Sequence, residues 1–231
     1  MSGALYLVAT PVGNLGDITL RAIDALKAAD LIACEDTRHT ATLLRHHRIH
    51  KPLVSLHEHN ERARTPGLVE QLKEGRSVAL VCDGGTPLIS DPGWRLVHQA
   101  IEAQVRVTWI PGATALIGAL VLSGLPTDRF AFEGFLPPKI GARRRRLEAL
   151  KQEERTVVVY ESPHRLLATL RDMRGVLGDL QACCARELTK MFEEVRRGRL
   201  SELIAHFEQH SPRGEFAVVF NISQSTIRNP Q

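Results

Sequence analysis

Residues 83–93, Asp-Gly-Gly-Thr-Pro-Leu-Ile-Ser-Asp-Pro-Gly, place two carboxylates, three glycines and two prolines directly behind the apolar run 78–82. Paired glycines let backbone approach a bound molecule closely, and prolines stiffen the loop. The segment is longer than the roughly 2 to 6 residues that a simple strand-to-helix connection needs. In an open parallel sheet, ligands bind where such loops lie, at the carboxyl ends of strands. A second loop has the same character: Gly112 ends an apolar run, and Ala113, Thr114 and Ala115 open a helix whose free N–H groups can receive a polar ligand. A third, around Pro11, Gly13 and Gly16, follows the first apolar run. None of the three matches G-x-G-x-x-G, and no G-x-x-x-x-G-K-[ST] occurs, which argues against a nicotinamide or nucleoside-triphosphate enzyme.

Other polar clusters also sit at the ends of strand-like runs. They are Cys34-Glu35-Asp36-Thr37-Arg38, His57-Glu58-His59-Asn60-Glu61 and Tyr160-Glu161-Ser162-Pro163-His164-Arg165. The His57/His59 pair with its carboxylates has ligand types for a metal, but a hydrogen-bonded turn explains it better, and no metal is expected. Ser162 and His164 are no evidence for a hydrolase, because triad geometry is not set by sequence adjacency. Glu161 and His164 are able to hold a proton.

Basic residues cluster at Lys139 with Arg143, Arg144, Arg145 and Arg146, and again at Arg196, Arg197 and Arg199. Four consecutive arginines on a helix point around most of its circumference, so at least one lies near the buried side. The others form a solvated face or contact phosphate. The net charge of +4 is too small to decide between these. With 5% aromatic residues, any RNA binding would rest on charge and shape more than on stacking.

Alternating strand and helix patterns must position these loops. Strands are expected over 4–10, 31–34, 53–56, 78–82 and 105–110, with helices over 20–29, 40–47, 66–73, 94–103 and 113–123, which implies a parallel sheet covered by helices. The turn cluster 124–128 marks a domain boundary, giving domains 1–124 and 128–223 and a frayed tail 224–231. The second half restarts with strands over 130–135, 156–160, 182–185, 194–197 and 215–222. Its helices run over 142–151, 163–170 and 201–208, the last capped by Ser201. With 43% apolar and 24% charged residues, the 231-residue chain reads as ordinary and globular. Its four cysteines lack metal or disulfide spacing, and the start lacks the basic segment of a secretory signal, so a reducing cytoplasm is expected. The apolar run 110–125 is broken by prolines and glycines and too short for a membrane span.

The ordered motifs LYLVATPVGNLGDIT (5–19), ACEDTR (33–38), DGGTPLISDPG (83–93), FEGFLP (132–137), YESPHR (160–165) and ARELTK (185–190) resemble the bacterial ribosomal RNA small-subunit methyltransferase I family, of the tetrapyrrole methylase superfamily. The resemblance covers about residues 5–222. It implies an α/β fold of two domains, each a mostly parallel or mixed sheet flanked by helices, with S-adenosylmethionine in the cleft between them. It further implies 2′-O-methylation of a cytidine in the decoding region of 16S ribosomal RNA, within the small subunit, by a cytoplasmic homodimer. Carried over position by position, the cofactor contacts fall on Pro11, Asp83, Gly84, Gly85, Ile89, Asp91, Thr114, Ala115, Arg186, Gly214, Glu215 and Phe216. The family usually has alanine at position 85 and a second proline after Gly112. Glu161, His164, Glu187 and Lys190 are candidates to assist the weakly nucleophilic 2′-hydroxyl, each with a structural ion pair as the alternative. Arg38, Lys139, Arg143, Arg144, Arg145, Arg146 and Arg165 are the candidate RNA contacts. A methyltransferase of the same superfamily acting on a porphyrin precursor and a non-catalytic ribosome-assembly factor are the competing readings.

Overall fold

The computed structural model describes residues 3–223; the tail expected over 224–231 lies outside the described residues. The chain divides into two compact units after Thr114.

In the first unit, strands β1 (Ala4–Val8), β2 (Leu31–Cys34), β3 (Leu53–Ser55), β4 (Val78–Leu80) and β5 (Arg106–Ile110) form one sheet in the order β3-β2-β4-β1-β5. All four pairings are parallel. The helices are α1 (Leu20–Ala28), α2 (Thr37–His46), α3 (Glu61–Lys73) and α4 (Trp94–Glu102). Thr19 Oγ1 accepts the Ala22 N–H to start α1, and Asp36 accepts the Arg38 N–H to start α2. Strand alternation divides the side chains between two faces. Leu5, Val78 and Leu80 pack with Leu68, Leu72, Leu96 and Ala100 of α3 and α4. Val8, Ala79 and Val81 pack with Ala22, Leu26 and Leu44 of α1 and α2.

Helix α3 starts five residues before its expected position and carries Pro66 in its interior. Proline is disfavoured there, but the first turn is fastened from outside: the Asn60 side chain accepts from His57 N–H and donates to the Ser55 carbonyl. Tertiary bonds override the local signal.

The second unit begins with α5 (Ala115–Ser123), followed by β6 (Phe130–Phe135), α6 (Ile140–Ala149), β7 (Thr156–Glu161), α7 (Pro163–Leu177), β8 (Gln181–Arg186), β9 (Glu194–Arg199), α8 (Leu200–Gln209) and β10 (Phe216–Phe220). Its sheet runs β6-β7-β10-β8-β9, with β6 and β7 parallel and the other pairs antiparallel. Leu147, Leu166, Leu170, Leu203 and Phe207 of α6, α7 and α8 cover one face through Val157, Val159, Val218 and Phe220. Helix α5 packs on β7, β8 and β10. The expected boundary at 124–128 is thereby corrected, because α5 belongs with the second sheet. Helix α7 runs seven residues past its expected end, to the cap at Gly178. Ser201 does not cap α8. Its hydroxyl and N–H both bond to the Asp179 carboxylate, while Glu202 Oε2 receives the Arg199 N–H.

The arginine run of α6 divides as its periodicity requires. Arg143 is buried, its guanidinium on Asp172 of α7 at 2.6 Å and on the Pro138 carbonyl, while the exposed Arg144 meets the other Asp172 oxygen at 2.7 Å. Arg146 pairs with Glu133, and Arg145 is exposed. Arg143 therefore belongs to the fold and not to an RNA surface. Burial opposes the Asp172 charge, yet hydrogen bonds from Arg144 and Arg143 hold the carboxyl below its usual range. Its contribution is present above the ordinary carboxylate range and lost as pH falls through the depressed value. Among the described residues no helix is long and apolar enough to cross a membrane.

Replacing Asp172 with alanine leaves Arg143 buried without its counter-charge and is expected to cost about 3–5 kcal/mol in urea unfolding. The apolar pair Arg143→Met with Asp172→Leu recovers most of that loss. A single variant within 1 kcal/mol of wild type would show that the pair is not buried as described.

Candidate functional site

The connections of the first sheet create one crevice. From β1 the chain crosses to β2 on one side of the sheet order, and from β4 it crosses to β5 on the other. The loops leaving the adjacent strands β1 and β4 therefore diverge at their carboxyl ends, which is the switch point where open α/β sheets bind ligands. Just past the strands, Thr10 and Gly85 exchange both backbone hydrogen bonds at 2.9 Å. Thr10 Oγ1 donates to the Cys82 carbonyl, and Thr86 Oγ1 to that of Ala113, which draws the third loop in. Thus Pro11, the 83–91 loop and Thr114, expected from separate stretches of sequence, converge.

Glycine is needed here for space and for conformation. A Cβ on Gly84 would come 3.2 Å from the Pro11 carbonyl oxygen, and one on Gly112 would come 2.9 Å from Ala9 Cβ. Gly85 adopts φ +100°, so the alanine usual at this position would need a different turn. Leu88 and Ser90 also have positive φ, at 74° and 66°. Two such residues in one loop mark strain held by its surroundings, a feature concentrated at functional sites.

Glu35, Asp83 and Asp91 gather at this edge, and among the described residues no lysine or arginine pairs with them. Asp83 accepts the Asp36 N–H at 3.1 Å. Burial first, then repulsion from Glu35 and Asp83, pushes Asp91 up to about 6 against an opposing hydrogen bond with Cys82. Burial and Asp83 raise Glu35 likewise, and burial with Asp91 beside it drives the Cys82 thiol far up. Such a cluster stabilises a cationic ligand, which a sulfonium or an ammonium group satisfies.

Glu61, named in the sequence only as one carboxylate of the His57–Glu61 cluster, anchors the far end of the loop. Its buried carboxylate accepts the N–H groups of Gly93 at 3.1 Å and Arg95 at 2.7 Å, capping α4 from another helix. Gly93 has φ +124°, and a Cβ there would come within 2.6 Å of Leu80. The signal in the sequence was an acidic residue beside two histidines, and its partner lies thirty-odd residues away. Among the described residues no group of three or more His, Cys, Asp or Glu is placed to hold a metal.

The second unit holds the remaining expected residues. Glu161 is buried and fully engaged, accepting from Ser162 N–H and Thr169 Oγ1, with Arg165 at 3.3 Å. Glu187 accepts the Glu215 N–H and a Lys190 bond, and Lys190 also reaches Glu215. Burial opposes both charges, yet these bonds lower Glu187 and raise Lys190. Glu161 and Glu187 are both committed to bonds within the fold. Gly214 cannot carry a side chain, because its Cβ would overlap Glu187. Arg186 pairs with Glu194, and Phe216 is a core side chain on β10, a strand paired on both sides. Ala115 opens α5, where the Tyr160 hydroxyl accepts the Leu116 N–H. His164 and Lys139 are exposed, while Arg38 is paired with its own cap, Asp36.

Residues 4–204 match the family model described as Tetrapyrrole (Corrin/Porphyrin) Methylases. A relative from Synechocystis sp. (strain ATCC 27184 / PCC 6803 / Kazusa), named Ribosomal RNA small subunit methyltransferase I, is 55% identical over 218 residues, 94% of this chain and 78% of its own length. Among solved structures, diphthine synthase is similar with a TM-score of 0.75 at 18% identity, covering 95% of this chain and 90% of that one. Uroporphyrin-III C-methyltransferase from Thermus thermophilus, complexed with S-adenyl homocysteine, is similar at 0.65 and 21%, covering 97% and 100%. Both structures show the fold.

Two measurements test this geometry. Asp91 has a folded-state pKa above its ordinary 3.8, so between about 4 and about 6 the folded protein binds more protons, and this carboxyl lowers stability as pH rises. Asp91→Asn should therefore stabilise the protein more at pH 7.5 than at pH 4, by on the order of 2 kcal/mol in thermal unfolding. An equal effect at both pH values would refute the assignment. For Glu61, amide exchange at Gly93 and Arg95 should accelerate at least tenfold in Glu61→Ala, the loss of roughly 1.4 kcal/mol of protection, and little in Glu61→Gln, which keeps an accepting oxygen. Unchanged protection in the alanine variant would remove Glu61 from this role.

Proposed function

Because the chain belongs to the ribosomal RNA small subunit methyltransferase I family, among the tetrapyrrole methylases, we propose that it methylates small-subunit ribosomal RNA, at the 2′-oxygen of a cytidine ribose in the decoding region. The observation that carries this reading is the near-complete sequence likeness to a relative of that name. S-adenosylmethionine is the cofactor, and the residues present fit it: glycine backbone leaves room beside Pro11, and three carboxylates without a basic partner suit a cation. When bound, it supplies an electrophilic methyl group on a sulfonium centre.

The chain's own residues then have defined tasks. Pro11, Asp83, Gly84, Gly85, Ile89, Asp91 and Thr114 hold and orient the cofactor on a loop that Thr10, Thr86 and Glu61 keep rigid. Alignment of two reactants on a fixed frame is worth roughly 7 to 11 kcal/mol. On the family likeness alone, Ala115, Arg186, Gly214, Glu215 and Phe216 are further contacts. Glu161, Glu187 and Lys190 are committed to bonds within the fold, so His164 takes the 2′-hydroxyl proton. Lys139, Arg145 and Arg165 contact phosphate. A homodimer in the bacterial cytoplasm goes with the same likeness.

The test is transfer of labelled methyl from S-adenosylmethionine to small ribosomal subunits and to bare ribosomal RNA, followed by alkaline hydrolysis. A 2′-O-methyl group blocks attack on the adjacent phosphate, so label is expected in an alkali-resistant dinucleotide. His164→Ala should lower the rate about 10²–10⁴-fold. Label in mononucleotides would mean base methylation, and no transfer would favour a small-molecule acceptor or a binding-only role.

A further inference from the structure

An exposed aromatic ring in the second unit has no task in the chemistry above. Strands β6 and β7 pair in register from Phe130 to Phe132, opposite Thr156 to Val158. The next pair is Phe135 with Tyr160, so β6 spends one extra residue. Gly134 at φ +62° permits this bulge. The bulge turns Phe135 outward, where 53% of it is exposed, although its neighbour Leu136 is buried. A single exposed ring is ordinary in itself, but this one is set beside a second aromatic ring by a backbone irregularity.

Its surroundings identify the occupant. The Phe135 ring lies 5.8 Å from the Tyr160 ring, which Phe132 also meets edge-on at 4.9 Å. Tyr160 is the residue whose hydroxyl accepts the Leu116 N–H at the start of α5, next to the cofactor position Ala115. The segments adjoining the ring carry two cations, one of them, Arg165, also paired with Glu161. Arg165 donates to the Leu136 carbonyl at 2.5 Å, and the exposed Lys139 follows within four residues. The two carboxylates of the region are already engaged, Glu133 by Arg146 and Glu161 by Thr169 and Arg165. A peptide or lipid partner gains little from a single ring with Arg165 and Lys139 on the adjoining segments. An unpaired nucleotide satisfies both features, with its base on the ring and its phosphates on the cations.

We propose that Phe135 is the stacking platform for an unpaired base of the RNA acceptor, set beside Tyr160 so that the nucleotide is held next to the start of α5. The proposal rests on the RNA-methyltransferase reading and names the contact that reading lacks. Sequence composition pointed to charge and shape alone; one well-placed ring changes that balance.

The experiment compares Phe135→Ala, Phe135→Leu and Phe135→Trp in methyl transfer to small ribosomal subunits and to bare ribosomal RNA, with S-adenosylhomocysteine affinity measured by calorimetry. The side chain is exposed, so the variants should fold like wild type. Loss of one base–aromatic stack predicts a fall in kcat/KM for RNA of roughly 5- to 150-fold for alanine and for leucine. Tryptophan should stay within about threefold, and S-adenosylhomocysteine affinity should not change. Leucine as active as wild type would reduce the contact to apolar bulk and overturn the proposal. So would parallel loss of S-adenosylhomocysteine affinity, or a changed oligomeric state in sedimentation, which would assign the ring to self-association. Wild-type protein that methylates neither RNA form would overturn the RNA reading itself, whereas an active wild type with an equally active alanine variant overturns this proposal alone.

Discussion

The pair of backbone hydrogen bonds between Thr10 and Gly85 fixes the position of every group proposed to touch the cofactor in the first unit. Two adjacent parallel strands whose connections leave in opposite directions would otherwise splay at their carboxyl ends. The bridge closes them by one antiparallel step, and it is possible only because residue 85 can take a positive φ. Once it is made, Thr10 Oγ1 satisfies the Cys82 carbonyl and Thr86 Oγ1 that of Ala113, so three loops share one backbone frame. Buried carbonyls that would cost about 1–3 kcal/mol each if left unpaired are satisfied by hydroxyls. The site is rigid for the same reason that the loop is stable.

The two units treat buried charge in opposite ways. In the second, Asp172, Glu161, Glu187 and Glu194 each have cationic or hydroxyl partners, and the bonds at Asp172, Glu187 and Glu194 outweigh burial and hold those carboxyls low. In the first, Glu35 and Asp91 crowd each other and Asp83, and their values rise. A fold optimised only for stability would separate them or add an arginine. Keeping an electrostatic penalty in a loop already fastened by other bonds makes sense where a cation is to be bound and released. Glu61 shows the contrast within the same unit: its charge faces the positive end of α4 and two N–H donors, and it serves as a structural clamp.

Most elements were legible because the strands of the first sheet are short, largely apolar runs and helices such as α1, α2 and α4 have a polar–apolar period. The glycine-rich loops were legible because their residues make sense only at a close backbone approach. What escaped depended on partners distant in sequence. Pro66 ordinarily argues for a helix start, and only the Asn60 bonds to His57 and Ser55 move that start to Glu61. Helix α5 is apolar on nearly all sides, so its pattern could not say which sheet it covers, and the boundary was drawn on the wrong side of it. Ser201 has the chemistry of a cap, but Asp179 claims it. Among the candidate bases, Glu161 and Glu187 had the right chemistry in the right neighbourhood, and only their bonding shows that they are already committed.

The arginine run shows how little a charge count says about a nucleic-acid surface. Of Arg143, Arg144, Arg145 and Arg146, the first is internal, the second shares its carboxylate, and the fourth pairs with Glu133. Arg145 and Lys139 are the members of this cluster without an ion pair among the described residues. Each phosphate neutralised on a single strand contributes only about 0.7 to the slope of log affinity against log salt, so two or three contacts give shallow, weakly discriminating binding. Electrostatics of that size can orient an RNA but cannot select one nucleotide among many. Selection then falls to the shape of the acceptor and to contacts with its base. An enzyme built on this chain needs a few well-placed cations and at least one group that recognises a base directly, and it keeps most of its arginines for its own fold.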